Sequence, residues 1–282
     1  MIPSRAMATK ILCIAGPTAS GKSARAVEEA LRRGGEVISV DSRQVYRGLD
    51  IGTEKISRDE MRGVPHHLID IREPEEPYSA GDFAKDAAHL IEEITGHGKL
   101  PILAGGTHFY FDAILNGLPL ETPPNPVLRE KLEKLSDEEL LVRIEDADPE
   151  RAAALDPKNR RRLIRALEII EAHGNVPKRE SVAHYDVEWM VLDPPTEELD
   201  TRIDKRLKDA LTRGLIEEVR YVRERVGDER LNELGLEYRI VGEYLRGERT
   251  EESLPNALSS KLRRYARRQK AWLTKLAREQ AA

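Results

Sequence analysis

Apolar and polar positions along the first hundred residues follow two periods. Short apolar runs at Lys10–Ala15 (KILCIA), Glu36–Val40 (EVISV), His67–Ile71 (HLIDI) and Leu100–Ala104 (LPILA) read as strands. Between them lie helix-length segments: Gly21–Arg33, then Tyr78–His97, which opens with Ser79 as a candidate N-cap and runs to Gly98. A further helix is expected from Gly105-Gly106-Thr107 to Asn116. Strands that alternate with helices predict βαβ units and a parallel sheet. The texture then changes, for 117–126 (GLPLETPPNP) holds four prolines in ten residues, a stiff connector suited to a domain boundary. From Val127 to about His173 the pattern is helical and charged, and Gly174–Pro177 breaks it. Val187–Asp193 (VEWMVLD) reads as a return to the sheet, with only helical patterning after Thr196. The expected organisation is an α/β core over 1–117 and 187–282, with helices on both faces of its sheet and a small all-helical insert at 118–186.

Composition narrows the class. The chain has 282 residues, 39% hydrophobic and 34% charged, with a mean hydropathy of −0.55 and one cysteine. No apolar run approaches the ~18 residues that span a bilayer, and Ile11–Ala15 runs into Gly16-Pro17 rather than a cleavage site. A lone Cys13 can form neither an internal disulfide nor a cysteine-rich zinc site, so it is expected to pack in the first strand. Secreted, membrane-spanning and zinc-finger readings are set aside, and a cytoplasmic monomer is expected. The formal charge of −5 speaks against a nucleic-acid partner only on average. Lys158–Arg165 (KNRRRLIR) carries five basic residues and Lys261–Lys270 (KLRRYARRQK) six, neither with an acid. Phosphate attraction is local, screened beyond roughly 8 Å at physiological salt, so such clusters matter more than the sum. Each could equally be a solvated helix face.

Gly16-Pro17-Thr18-Ala19-Ser20-Gly21-Lys22-Ser23 matches G-x-x-x-x-G-K-[ST] in full, after a strand and opening a helix. Its glycines let backbone amides turn inward as a nest for phosphate oxygens. Lys22 brings a point charge, Ser23 an oxygen for Mg²⁺, and the helix its N-terminal dipole. The motif reports a polyphosphate, not adenine. Asp41 ends the second strand at the same sheet edge, where it can hold Mg²⁺, act as a base, or cap a turn with Ser42. Thr107, after two glycines at the end of the fourth strand, points a hydroxyl at the same crevice or caps the next helix.

Taken in order, these segments resemble the tRNA dimethylallyltransferases. GPTASGKS (16–23) is followed by ISVDSRQVYRGLDIGTEK (38–55), PHHLIDI (65–71), EPYSAGDF (76–83), LAGGTHFY (103–110) and an Arg165-Ala166-Leu167-Glu168 helix. The resemblance implies transfer of a dimethylallyl group from its diphosphate to the exocyclic amine of the adenosine 3′ of the tRNA anticodon. It places the donor's diphosphate, rather than a nucleotide, on Gly16 and Thr18 to Ser23. Lys22, Thr107 and Mg²⁺ on Ser23 are then catalytic aids, and Asp41 is the general base. One of Arg202 and Arg206, in Arg-Ile-Asp-Lys-Arg, would meet the diphosphate; both could instead be surface ion pairs. By the same resemblance, tRNA contacts fall on Asp41, Ser42, Arg43 and Gln44, on Arg129, and on Arg161, Arg162 and Arg165. They continue on Tyr238 and Arg239, and on Arg267, Arg268 and Gln269.

The sequence departs from the family in one contact stretch, reading Glu237-Tyr238-Arg239 where the family usually has Gly-Tyr-Arg. The C-terminal zinc finger of some eukaryotic relatives is absent. Trp272, spaced with Leu273 and Leu276, is expected in the core rather than as a base-stacking platform, and His66 and His67 are expected to satisfy backbone carbonyls. Two rival readings remain: a small-molecule kinase that uses ATP, with the insert as a lid, and a nucleotide-gated RNA-binding protein.

Overall fold

A computed structural model describes residues 8–118, 122, 125–177 and 185–280 of the chain. The proline-rich connector read over 117–126 lies largely outside the described residues. In chain order the elements are β1 (Thr9–Ala15), α1 (Lys22–Arg33), β2 (Gly35–Val40), α2 (Arg58–Met61), β3 (His66–His67), α3 (Ala80–Gly96), β4 (Leu100–Gly105) and α4 (His108–Asn116). The insert holds α5 (Pro126–Leu132), α6 (Asp137–Ala147), α7 (Pro149–Ala153) and α8 (Arg160–His173). Next come β5 (Tyr185–Val191), α9 (Thr196–Thr212), α10 (Leu215–Glu233), α11 (Leu236–Leu245), a 3-10 turn (Glu251–Ser253) and α12 (Leu254–Gln280). Two compact units result, Met1–Leu115 with Ala183–Ala282, and Asn116–Val182.

The sheet is five-stranded and parallel in the order β3-β2-β4-β1-β5. β1 is apolar at successive positions because both its faces are covered, as parallel sheets require. Ile11, Cys13 and Ala15 pack with Phe83, Ala87 and Ile91 of α3 and Phe111 and Ile114 of α4. Leu12 and Ile14 face the other way, onto Ala26, Val27 and Ala30 of α1. Cys13 is a buried packing residue whose thiol burial pushes to a very high pKa. A third core joins α9 to α12 to the loop after β2, through Val45, Tyr46, Leu49, Leu207, Val219 and Leu258.

One strand is much shorter than its sequence pattern. β3 stops at His67, because Leu68 and Asp70 adopt left-handed φ values of 61° and 55° and turn the chain out of the ladder. Lys55 explains the turn: its ammonium bonds Asp70 Oδ1 at 2.5 Å and the Tyr46 carbonyl at 2.8 Å, tying this segment to the loop after β2. His66 Nδ1 meets the Val64 carbonyl, while His67 Nε2 faces the Glu36 carboxylate at 2.7 Å rather than a carbonyl.

The insert is a four-helix unit around Leu132, Leu140, Ile144, Leu163 and Leu167. α6 begins with a full capping box from Ser136 and Glu139. At its heart the fully buried Glu168 carboxylate accepts from Arg129 Nε (2.8 Å) and Nη2 (3.0 Å), the Asn125 amide (3.0 Å) and Arg165 Nη1 (3.2 Å).

Candidate active site

Three chain segments leave the C-terminal edge of the sheet side by side, after β1, β2 and β4, which is where open α/β sheets bind ligands. The first is the Gly16–Ser23 loop. Ala19 (φ 62°) and Gly21 (φ 88°) take left-handed conformations that curl its amides inward, and no side chain caps α1. The first amides of α1 therefore face open space. The Ser20 hydroxyl lies buried over Gly16 without a hydrogen-bond partner, an orphan that a ligand oxygen would satisfy. Lys22 Nζ bonds the Pro17 carbonyl at 2.6 Å, and burial draws its ammonium down to about 8 despite the nearby Asp41. Ser23 is exposed on the first turn of α1. A hydroxyl in that place suits Mg²⁺, which takes few protein ligands and shares phosphate oxygens. No cluster of three His, Cys, Asp or Glu donors occurs among the described residues.

The second segment carries Asp41. Its Oδ1 accepts from the amides of Arg43 (2.8 Å) and Gln44 (3.3 Å), closing the turn, while no described hydrogen bond engages Oδ2. The capping role is thus visible, made to Arg43 and Gln44, and it uses one oxygen of the carboxylate. The third segment brings Thr107, whose Oγ1 accepts from the Ser42 amide at 3.2 Å, so its own proton stays available. Gly105 makes this approach possible, since a Cβ there would sit 2.0 Å from the Val40 oxygen.

Several residues assigned from the sequence to RNA contact turn out to build the site. Gln269 is 5% exposed; its Oε1 accepts from the Thr18 amide (2.9 Å) and its Nε2 donates to the Gly106 carbonyl (2.8 Å). It therefore clamps the first segment to the third and offers RNA nothing. Tyr238 is 1% exposed and donates to Glu218, so it too is withdrawn from any surface. The Gln44 amide is spent on Ser39 and on the carbonyls of Thr53 and Glu54. Arg129 and Arg165 are tied to Glu168, whereas Arg161, Arg162, Arg239, Arg267 and Arg268 are exposed. Trp272 packs on His108 and Phe111 of α4.

Two positions escaped the sequence reading. Glu218 of α10 accepts from the amides of Asp50, Ile51 and Gly52 at 2.7–2.9 Å and from the Tyr238 hydroxyl, fixing the loop that follows Asp41. Tyr265, four residues before Gln269 and hence on the same side of α12, lies within electrostatic reach of Asp41. Burial, and then that charge, push its phenol up to about 12. Of the two arginines on α9, Arg202 is 43% exposed and paired with Glu198. Arg206 is 15% exposed and donates to Thr18 Oγ1.

An inward-curled amide loop with a carboxylate within electrostatic reach of its lysine is a geometry suited to group transfer, and the class is a transferase. Relatives narrow it. The family model described as IPP transferase matches residues 44–276. A tRNA dimethylallyltransferase of Thermomicrobium roseum is 42% identical over 276 residues, covering 94% of this chain and 84% of its own length. One from Streptococcus pneumoniae is 43% identical over 270 residues, covering 94% and 90%. Among solved structures, the tRNA isopentenylpyrophosphate transferase of Bacillus halodurans superposes with a TM-score of 0.70 at 38% identity, over 94% and 87% of the two chains. A eukaryotic dimethylallyltransferase acting on tRNA gives 0.83 at 29% identity, over 94% and 70%. The chain belongs to the IPP transferase family, the tRNA dimethylallyltransferases, and is an enzyme of the transferase type.

Proposed function

We propose that this chain transfers the dimethylallyl group of dimethylallyl diphosphate to the exocyclic amine of the adenosine 3′ of the anticodon in tRNA. The observation that carries the reading is the divided Asp41 carboxylate, with Oδ1 locked in the turn, no described hydrogen bond on Oδ2, and Lys22 of the loop within its electrostatic reach. The amine nitrogen forms its bond to the allylic carbon as the carbon–oxygen bond breaks. The electron pair of that bond leaves with the diphosphate, and the amine proton passes to Asp41 Oδ2. Charge builds on the leaving oxygens, so the loop amides, Lys22 and Arg206 act where it develops. Ser23 would hold Mg²⁺, which would supply further neutralisation of that charge. The Thr107 hydroxyl, held by the Ser42 amide, has its proton to give to a substrate oxygen.

An adenine amine is a weak nucleophile and needs the base, while the adenosine must leave the anticodon-loop stack to reach a crevice. Arg161, Arg162, Arg239, Arg267 and Arg268, exposed and basic, are suited to RNA phosphates and give salt-sensitive affinity with little base specificity. The names of the relatives support tRNA as acceptor, and a tRNA-modifying enzyme works where tRNA is, in the cytoplasm.

The test is transfer of label from dimethylallyl diphosphate to unmodified tRNA with Mg²⁺, beside a tube with labelled ATP. Label moving to tRNA supports the proposal; phosphate leaving ATP for an acceptor would make the chain a kinase. In Asp41→Asn the donor KM is expected to hold while kcat falls about 10²–10⁴-fold, the range of general-base help. Loss of donor affinity instead would make Asp41 a metal ligand.

A further inference from the structure

The glutamate that stands where the family usually has glycine is built into the phosphate site. Glu237 lies in the first turn of α11, its side chain 12% exposed, and its Oε1 accepts from Arg206 Nη2 at 3.0 Å. The other Nη of Arg206 donates to Thr18 Oγ1, inside the phosphate loop, and Nη2 also approaches the Gly52 carbonyl at 3.5 Å. Arg206 has a second carboxylate nearby, Glu54, at 3.7 Å, but Glu54 is engaged by Arg213 at 2.7 Å. Glu237 is therefore the partner that pins the guanidinium, and it does so through the nitrogen not bonded to Thr18. The contacts leave an Nη1 proton uncommitted and Nε only loosely paired with Glu54 at 3.7 Å, so the arginine stays able to donate to an anion while its direction is fixed. Arg202, one turn earlier on α9, pairs among the described residues with the exposed Glu198 and donates to the loop at 3.4 Å, at the Ala19 carbonyl.

We infer that Glu237 is a positioning residue for diphosphate binding: it holds Arg206 against Thr18, and so makes Arg206, not Arg202, the arginine that meets the donor's phosphate oxygens. The inference rests on the reading of the Gly16–Ser23 loop as a diphosphate site. A guanidinium fixed before the ligand arrives loses little rotamer freedom on binding, and that saving appears as affinity for the ligand.

Calorimetry with inorganic pyrophosphate and Mg²⁺ separates the possibilities. Glu237→Ala is expected to weaken pyrophosphate about tenfold, raise the donor KM by a similar factor and lower kcat, with the tRNA KM within threefold of the unaltered enzyme. Glu237→Gln, whose amide oxygen still accepts from Nη2, is expected to stay within threefold in pyrophosphate affinity. It also serves where the alanine variant fails to fold. In Arg206→Ala the further change Glu237→Ala is expected to add nothing, since both act through one group. Additive losses, or pyrophosphate binding unchanged or tightened in Glu237→Ala, would overturn the inference and leave the diphosphate site standing. Failure of the unaltered protein to bind pyrophosphate would overturn both.

Discussion

Replacing Gln269 by alanine tests how the site is held together. The side chain is buried and closes two hydrogen bonds across the molecule, to the Thr18 amide and the Gly106 carbonyl. Its removal strands both partners, and a buried polar group left unpaired costs about 1–3 kcal/mol. Both partners are only partly buried, which keeps the combined loss near the lower half of that range, about 2–4 kcal/mol. For a body of this size about 2–4 °C of melting temperature accompanies each kcal/mol, so a shift of roughly 4–16 °C is expected. The loss should not be confined to stability, because Thr18 belongs to the phosphate loop: the donor KM is expected to rise while the tRNA KM stays put. Thermal melts and steady-state kinetics with each substrate varied in turn give both readouts. A Gln269→Ala protein that melts within 2 °C of the unaltered enzyme, or one whose tRNA KM rises alone, would refute the clamp and return Gln269 to the RNA surface.

Two further outcomes follow from titrating groups. The Lys22 ammonium, drawn down by burial to about 8, must be charged to hold diphosphate, so donor affinity is expected to fall as pH rises through 8. A pyrophosphate titration at pH 7 and pH 9 checks it; equal affinity would refute it. Burial opposes the charge on Glu168, but hydrogen bonds from Arg129, the Asn125 amide and Arg165 outweigh it and hold the carboxyl below its ordinary value. Its folded value is the lower one, so this stability is complete above about pH 4.3 and drains away as acid titrates the folded group. Glu168→Gln is expected to cost about 2 kcal/mol near neutrality, discounted from the fully buried case for its half-exposed arginine partners, and little once the acid range is reached. Melts from pH 3 to 7 measure the convergence.

The parts of the fold legible in the sequence are those where one local signal decides. β1, β2 and β4 are apolar runs closed by glycine or aspartate, and the phosphate loop is a contiguous motif whose conformation its own glycines set. β3 was misjudged because HLIDI has strand composition, while Lys55, a dozen residues upstream, turns it at Leu68 and Asp70. The site was half legible for the same reason. Glu218 reads as an ordinary acid in a helix first turn and Glu237 only as a departure from the family pattern, because their partners lie across the fold. Gln269 and Tyr238 were nearer to hand. Gln269 keeps helical phase with the buried Leu262, Ala266 and Leu273, and Tyr238 with Val241 and Gly242. That spacing marks an inward face even inside a basic stretch, and it outranks the charge of the neighbours.

The register of β1 against β5, from Thr9 opposite Tyr185 to Ala15 opposite Val191, bears on biogenesis. β1 must wait for a neighbour translated about 176 positions later, and loop closure over that distance is slow. The insert, closed upon itself, can fold during the wait. The phosphate pocket cannot, so a nascent chain halted before β5 is expected to hold a finished helical unit beside a sheet still missing an edge.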